Sequence, residues 1–462
     1  MKLLRRLFRY PELWVLTLIA LLTRLWQLDV PHAIVFDEVY FRQFAADYLS
    51  GRFFFDIHPP FVKLIFAGLG SLFHLEPIQV AAGDPGGLIL RAVPALAGAA
   101  LIPLTYVIIR QLGLGRRMAA FGALLVLCDN ALLVESRFVL MDSLLLLTGM
   151  GALSGFLRQR KVKSNWRWAW VVGTSILIGL LVTTKWTGLA MATLIGIAWI
   201  ADGLLQKTDW RRLLGEGFLA ACIIIAIYIG SFVVHFGLLT RSGEGDAFMS
   251  EKFQSTLIGN KHYDPKVKMS LWDKIVEYNE EMYTAQSSLE GVTHPYASRW
   301  YSWPFEIRPV YFWQGPTLDD QRQGNIYLLG NPAVWWLAFA GALGALIVWL
   351  AKPGWLGRRR KLVAFLLAGY ALNFVPFTFI TRPMFLYHYL FALLFSILVT
   401  CVMLGLFFDW QKKKYGSRAV TQTYWTLVAV VVIGFLNFIP LSYGWPMTPG
   451  DIQQHMWLPT WR

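Results

Sequence analysis

The chain has 462 residues, of which 56% are hydrophobic and only 15% carry a charge, and its mean hydropathy is +0.49. This composition excludes a water-soluble globular protein and a disordered chain, and it indicates an integral membrane protein. The formal net charge of +14 does not indicate nucleic-acid binding, because the Lys and Arg residues form short clusters between apolar segments. The three cysteines each lie in an apolar run, so they predict neither a disulfide framework nor a thiolate metal site.

Eleven apolar segments are long enough to cross a bilayer, which requires about 17 to 25 residues per helix. The first follows a basic segment that contains Lys2 and Arg9 and is not followed by a small-residue cleavage site, so we predict an uncleaved anchor. The predicted spans cover residues 11–29, 89–110, 118–134, 139–157, 168–184, 187–203, 216–236, 332–351, 362–380, 385–408 and 422–441.

The positions of the basic links predict the sidedness of these spans. The links at 116–117, 158–167, 207–212, 358–361 and 412–418 all fall on the N-terminal side, which the positive-inside rule makes cytoplasmic. An odd number of spans then places the C-terminus outside.

Two long segments, 30–88 and 237–331, are predicted to lie outside the membrane. The apolar stretch 61–75 within the first is too short to span a bilayer and contains Lys63, so we predict a helix at the outer interface. The whole chain, 1–462, is expected to form a single membrane-embedded, all-α domain.

The first outer segment contains an acidic pair, Asp37 and Glu38. Adjacent carboxylates in a helix point about 100° apart, so we expect one to act as a base while the other holds a cation or a structural hydrogen bond. The alternative is that the pair caps the helix that follows.

Six cations lie on the side of the membrane that the positive-inside rule disfavours. Charge at membrane depth is costly and commonly functional, so together they predict an anion-binding site at the outer leaflet. Anchoring at the interface is the alternative for each one taken alone. They are Arg24, Lys63, Arg91, Arg137, Lys185 and Arg382.

Two histidines accompany these cations. His58 precedes two prolines that fix the backbone before Lys63, although the prolines could instead redirect the chain onto the membrane. His388 lies about one turn inside the tenth predicted span, where a packing role is the alternative.

An aromatic stretch in the second outer segment could stack on a sugar or a polypeptide, or could form the aromatic belt of a membrane interface. Its candidate binding residues are His294, Tyr296, Arg299, Trp300 and Trp303. The sequence contains no Asp-x-Asp or His-x-x-x-His motif and no cysteine pair, so we predict no metal centre and no cofactor.

Five passages together resemble the protein O-mannosyltransferases that use polyprenyl-phosphate mannose, specifically their bacterial branch. They are residues 36–41, 53–63, 136–143, 294–304 and 382–390. They occur in the family's order and cover nearly the whole chain. Eukaryotic relatives carry a β-trefoil insert in the second outer segment, and the shorter segment here favours the bacterial branch.

The resemblance implies a C-type glycosyltransferase fold of eleven spans, with the acidic pair at the active site. It also implies a polyprenyl-phosphate-mannose donor in the outer leaflet of a bacterial plasma membrane. The expected acceptors are Ser and Thr hydroxyls of exported proteins, with the translocation machinery as a candidate partner.

Asp37 is the predicted base in an inverting, metal-independent displacement, and Glu38 would orient Arg24 or the acceptor. A readily leaving phosphate needs no general acid, but its growing charge needs cations. The predicted donor-phosphate residues are Arg24, His58, Lys63, Arg91, Arg137, Lys185, Arg382 and His388.

Two other functions are compatible with outward-facing charges. The first is transfer of a sugar from a lipid phosphate to lipid A or a cell-wall glycan. The second is transport or flipping of an anionic lipid, which predicts charges at mid-membrane depth and symmetry between halves. The sequence shows neither feature.

Overall fold

The computed structural model describes residues 10–83, 86–162, 166–205, 209–288 and 291–461. The basic N-terminal residues 1–9 and part of the basic link 207–212 lie outside the described residues. The described chain is mainly helical. Its helices and strands, in chain order, are α1 Pro11–Leu25, α2 Glu38–Ser50, α3 Phe61–Leu72, α4 Pro77–Ala82, α5 Gly86–Gln111, α6 Arg116–Leu127, α7 Asn130–Glu135, α8 Asp142–Gln159, α9 Trp166–Thr184, α10 Leu189–Leu205, α11 Trp210–Leu238, α12 Glu251–Gln254, α13 Leu271–Ser288, β1 Val310–Thr317, β2 Gln323–Leu328, α14 Pro332–Ala351, α15 Pro353–Leu356, α16 Arg360–Leu372, α17 Leu390–Tyr443, β3 Pro446–Met447 and α18 Pro449–His455.

Seven helical stretches in the described ranges are long and apolar enough to cross a bilayer. They confirm the membrane-embedded helical class, whereas the number of eleven spans stays a prediction. The helix predicted around Lys63 is the short apolar helix α3, and its location at the outer interface stays a prediction. The seven stretches are Leu88–Gln111, Trp166–Thr184, Trp186–Leu205, Trp210–Leu238, Pro332–Ala351, Pro353–Phe379 and Leu386–Tyr443.

The last stretch contains the two predicted spans 385–408 and 422–441. Gly416 has φ 82° and ψ 176°, which is not helical. The amide of Gln411 donates to the hydroxyl of Thr423 over 2.8 Å, although twelve residues of continuous helix would separate these positions by about 18 Å. The chain therefore reverses at Gly416, within the predicted link 412–418.

The predicted continuous span 118–134 was wrong, because the helix breaks between α6 and α7. Asp129 lies in extended backbone at the break, and its carboxylate accepts a hydrogen bond of 2.9 Å from the backbone N–H of Leu132. A side chain that caps a new helix in this way ends the preceding one.

Ion pairs join the basic links at one end of the helical bundle. The guanidinium of Arg116 binds the carboxylate of Glu12 over 2.6 Å. Buried Glu216 binds both Arg167, over 2.6 Å, and Arg212, over 3.0 Å. The basic links 158–167 and 207–212 therefore lie together, and the link 116–117 lies beside the start of α1.

The two long segments pack on each other at the opposite end of the bundle. Gly51, with φ 73°, ends α2, and its carbonyl accepts the N–H of Arg241 over 2.9 Å. The N–H of Phe53 in turn donates to the Arg241 carbonyl over 2.8 Å. Phe53 and Phe54 then pack in one buried cluster with Tyr278 of the second segment.

A small antiparallel sheet, with strand order β1-β2-β3, also lies in this region. The pairing of β2 with β3 attaches the segment after the last membrane helix to the second long segment. The all-α prediction did not include this sheet. Val310 and Phe312 of β1 are buried in the structure, but residues 310–313 are all apolar or aromatic, so the sequence lacks the apolar–polar alternation that would have predicted a strand.

The two ends of the bundle should differ in chemical accessibility. We expect an impermeant maleimide to label Leu318→Cys in intact cells, because this exposed residue belongs to the second long segment. The reagent should label Lys414→Cys, at the reversal, only after permeabilisation. Both variants would carry Cys222→Ser, since Cys222 is the exposed native cysteine. Labelling in the reverse order would invert the proposed orientation.

Candidate functional site

The acidic pair lies at the start of α2 in an unusual local conformation. Phe36 has φ 50°, a left-handed value that costs free energy for a residue with a side chain. Its ring stacks on Phe312 with centroids 4.2 Å apart. This contact holds the turn, so that Asp37 occupies the position before α2 and Glu38 becomes its first residue.

Glu38 is completely buried and has a structural role. Its carboxylate accepts hydrogen bonds from the Arg91 guanidinium over 2.8 and 2.7 Å. It also accepts the backbone N–H groups of Val35, over 3.0 Å, and Val139, over 2.8 Å, while Arg42 lies at 3.4 Å. These contacts replace the predicted role of Glu38 in orienting Arg24 or an acceptor.

Three of the predicted phosphate-binding arginines donate to backbone carbonyls instead. Arg24, Arg91 and Arg137 are each no more than 2% exposed. Most of their donors bind these carbonyls, although the Nε atoms of Arg24 and Arg137 have no partner within the described residues, and none of the three lines the cavity that holds the other predicted cations. The accepting carbonyls are those of Leu28, Pro31 and Ala33 for Arg91, Val126 and Leu127 for Arg24, and Trp26 and Gln27 for Arg137.

Lys63 supports the turn that carries His58. Its buried ammonium donates to the Asp56 carboxylate and to the His58 carbonyl, the latter over 2.6 Å. The rings of Phe44 and Phe54 lie 5.5 and 5.9 Å from the ammonium. Lys63 therefore stabilises the turn that carries His58 and does not face a ligand.

A cavity of about 400 Å³ brings together four of the eight predicted phosphate-binding residues. They are His58, Lys185, Arg382 and His388. Most of the remaining wall is apolar, including Leu145, Leu189, Leu372, Ile380 and Phe391. Such a cavity suits a ligand with an anionic head and a hydrocarbon tail.

Asp142 also lines the cavity and was not among the predicted site residues. Its carboxylate accepts a hydrogen bond of 3.2 Å from the Lys185 ammonium. The Lys185 ammonium lies 5.3 Å from the centre of the Tyr387 ring. The sequence did give a reason to include Asp142 among the site residues, because it belongs to a family passage and stands at a predicted span end.

Electrostatics connects Asp37 to this cavity. Burial raises the pKa of the Asp37 carboxyl to about 6; the positive charge of Lys185 opposes this rise, and Asp142 and Asp56 reinforce it. Burial, assisted by the positive charges of Lys185 and Lys63, holds the pKa of His58 well below its usual range. At neutral pH the site therefore combines an ionised Asp37 with an uncharged His58.

The aromatic stretch packs against the turn that carries His388. Trp303 is completely buried, and its indole N–H donates to the Ser298 hydroxyl over 3.0 Å. Its ring stacks on His388 with centroids 5.9 Å apart. Trp303 therefore orients His388 and has no face left for an acceptor.

The other predicted acceptor residues lie nearer the surface. His294 and Arg299 are exposed, whereas Tyr296 and Trp300 are partly buried. The His294 ring meets the edge of Phe385 at 4.9 Å, beside the same turn. Within the described ranges, no group of three His, Cys, Asp or Glu side chains could hold a metal ion.

Two family models together cover most of the chain. Residues 14–240 match the model described as "Dolichyl-phosphate-mannose-protein mannosyltransferase". Residues 271–461 match the "C-terminal four TMM region of protein-O-mannosyltransferase". The chain belongs to the protein O-mannosyltransferase family.

Curated relatives are similar to this chain over about half its length. Dolichyl-phosphate-mannose--protein mannosyltransferase 4 of Candida albicans is 35% identical over 269 residues, which cover 53% of this chain and 35% of that protein. Protein O-mannosyltransferase 1 of Drosophila pseudoobscura is 36% identical over 264 residues, which cover 53% and 29%. The chain thus spans 35% and 29% of the lengths of these relatives.

Solved structures confirm the C-type glycosyltransferase fold. The Saccharomyces cerevisiae protein O-mannosyltransferase Pmt1-Pmt2 complex bound to the sugar donor is similar with a TM-score of 0.87 and 20% identity, covering 98% of this chain and 92% of that one. The Archaeoglobus fulgidus oligosaccharyltransferase gives a TM-score of 0.58 at 13% identity, over 95% and 56% of the two chains.

The buried Glu38–Arg91 pair predicts a large loss of stability on substitution. Glu38→Gln keeps the side-chain shape but leaves the buried Arg91 guanidinium without an anionic partner, which we expect to cost about 3–5 kcal/mol. A lower thermal unfolding midpoint of the purified protein would show this. The control is Asp320→Asn, which breaks an ion pair whose two side chains are each 50% exposed; it should leave the midpoint unchanged. Equal midpoints for the two variants would contradict the structural role of Glu38.

Proposed function

We propose that this protein transfers mannose from polyprenyl-phosphate mannose to Ser or Thr hydroxyls of exported proteins, at the outer face of a bacterial plasma membrane. The observation that carries the proposal is the cavity in which Lys185, Arg382 and two histidines meet an apolar wall. Membership of the protein O-mannosyltransferase family supports the same chemistry.

The cavity supplies what a lipid phosphate requires. Negative charge grows on the phosphate as the glycosidic bond breaks, so fixed cations stabilise the transition state more than the ground state. Lys185 and Arg382 are the cations proposed for this role, and His58 and His388 are the proposed hydrogen-bonding partners. Leu189, on the apolar wall, would contact the lipid chain.

Asp37 is the proposed base. A hydroxyl is a weak nucleophile near neutral pH, so a base must take its proton as the anomeric carbon is attacked. The pKa of Asp37, about 6, leaves its carboxylate ionised but still basic at that pH. Attack in a single displacement would convert a β-linked donor to an α-linked product, without a metal or a general acid.

The acceptor is proposed to approach along the exposed part of the aromatic stretch. His294 and Arg299 are solvent-exposed there, and Tyr296 and Trp300 offer partly buried rings. An extended polypeptide delivered by the translocation machinery would present its hydroxyl groups to this surface before it folds.

The function is tested by incubating membranes that contain the protein with labelled polyprenyl-phosphate hexoses and an exported Thr-rich peptide. We expect mannose to move to Thr residues of the peptide, because Asp37 is proposed to take the proton of an acceptor hydroxyl as it attacks the bound donor. Membranes without the protein are the control, and a chelator should leave the rate unchanged.

Other distributions of the label would contradict the proposal. Label in lipid A or a wall glycan, with none in the peptide, would favour the alternative sugar transferase. Loss of transfer on chelation, restored by manganese, would overturn the metal-independent mechanism.

The base assignment predicts a strong effect of Asp37→Asn. We expect transfer to fall about 10²- to 10⁴-fold, the usual cost of losing a catalytic base, with normal expression and folding. For the wild type, kcat/KM should fall as the pH drops through about 6, because the raised pKa of Asp37 leaves less ionised base at lower pH. Asp29→Asn, at a half-exposed acid on the preceding segment, is the matched control. Activity retained by Asp37→Asn would remove Asp37 from this role.

A further inference from the structure

Residues 446–461, which follow the last membrane helix, pack on the second long segment at two places. At the first, Met447 of β3 pairs with Gln323 of β2. At the second, Trp461 is 1% exposed, and its ring lies 5.9 Å from that of Phe438 on α17. The buried tryptophan therefore fixes this segment well beyond the strand that begins it.

The polar atoms near Trp461 hold one turn of the second long segment. The indole N–H of Trp461 donates to the backbone carbonyl of Glu306 over 2.5 Å. The hydroxyl of the preceding residue, Thr460, donates to the next carbonyl, that of Ile307. Two consecutive side chains therefore bind two consecutive carbonyls, which restrains both the position and the direction of the backbone in this turn.

The turn at Glu306 needs such support. Glu306 ends the short helix Trp300–Phe305 in a left-handed conformation, with φ 54° and ψ 35°. Glycine is the usual residue in this conformation, because a side chain is disfavoured there. The N–H of Glu306 donates to the carbonyl of Trp303 over 2.9 Å. A strained backbone persists only where its surroundings hold it, and the contacts of Trp461 and Thr460 do so.

The short helix that this turn ends is in contact with a residue of the cavity wall. Trp303 lies in the helix and stacks on His388, which lines the cavity, with centroids 5.9 Å apart. The backbone makes a second connection, because the N–H of Ser298 donates to the carbonyl of Met384 over 2.8 Å. Displacement of the turn would therefore displace the ring against which His388 packs.

We propose that Trp461 is a positioning residue: it holds the turn at Glu306, and through Trp303 it fixes the orientation of His388 at the cavity wall. Trp461 does not line the cavity, so it acts through these residues and does not touch the substrate. The role of His388 as a partner of the donor phosphate rests on the proposed function, whereas the support of the turn by Trp461 does not.

Trp461→Phe tests this role, because it keeps an aromatic ring and removes the N–H donor. We expect KM for the lipid donor to rise about 2- to 10-fold, the change that corresponds to losing one neutral hydrogen bond. The value of kcat should stay unchanged, as it does when only substrate binding is weakened. Partial unfolding would instead lower kcat, by reducing the fraction of active protein, and leave KM unchanged. Thr460→Val, which removes the other contact with little change in volume, should also raise KM.

Trp457→Phe is the matched control. Trp457 belongs to the same segment and is 48% exposed, and its indole N–H makes no hydrogen bond within the described residues. The same substitution there should leave KM for the donor unchanged. An equal rise of KM in Trp457→Phe and Trp461→Phe would overturn the proposal, as would an unchanged KM in Trp461→Phe.

A second measurement needs no substrate. Amide hydrogen exchange of the purified protein, followed by mass spectrometry, reports local opening of the backbone. Exchange in Trp461→Phe should be faster than in the wild type both at residues 303–307, which contain the turn, and at residues 384–388, which contain His388. Trp457→Phe should leave both regions unchanged. Faster exchange confined to residues 303–307, or no change in either region, would overturn the proposal.

The two readouts keep the proposals apart. A wild-type protein that transfers no mannose would contradict the proposed function. In that case the exchange measurement would still decide whether Trp461 holds the turn and the residues around His388.

Discussion

The buried ion pair between Glu38 and Arg91 organises the outer end of this protein. The carboxylate connects the start of α2 to α5 and to the backbone at Val139, three segments that are distant in sequence. The remaining donors of Arg91 hold the chain between α1 and α2 through carbonyls at residues 28–33. The pair fixes Glu38 on the buried side and leaves Asp37, its neighbour in the chain, for the role of base that we propose.

The cations at the same end of the bundle fall into two groups with different roles. The buried arginines bind several backbone carbonyls each, which suits a planar guanidinium with five donors. Lys185 is a compact ammonium that faces the cavity, and Asp142 limits its movement. This division explains how a membrane protein can hold so many buried positive charges: most of them have internal partners, and few are left to bind a ligand.

The second long segment is as important to the site as the first. Tyr278 on α13 accepts the backbone N–H of Asp56 through its hydroxyl over 3.0 Å, and so supports the turn that carries His58. Trp303 stacks on His388 from the other direction. The cavity is thus held between segments separated by more than two hundred residues of chain, as the Tyr278 to Asp56 separation of 222 shows.

The sequence alone determined the membrane class, the positions of most apolar helices and the grouping of basic links at one end. These features depend on hydrophobicity and charge, which each segment carries independently of the rest of the chain. It also marked residues that meet at the cavity, including His58, Lys185 and His388. Only the tertiary structure decided the partner of each charge: Glu38 bound Arg91 rather than Arg24, Lys63 bound Asp56, and Trp303 became buried. Such choices depend on which distant segments pack together, and neither hydropathy nor spacing along the chain contains that information.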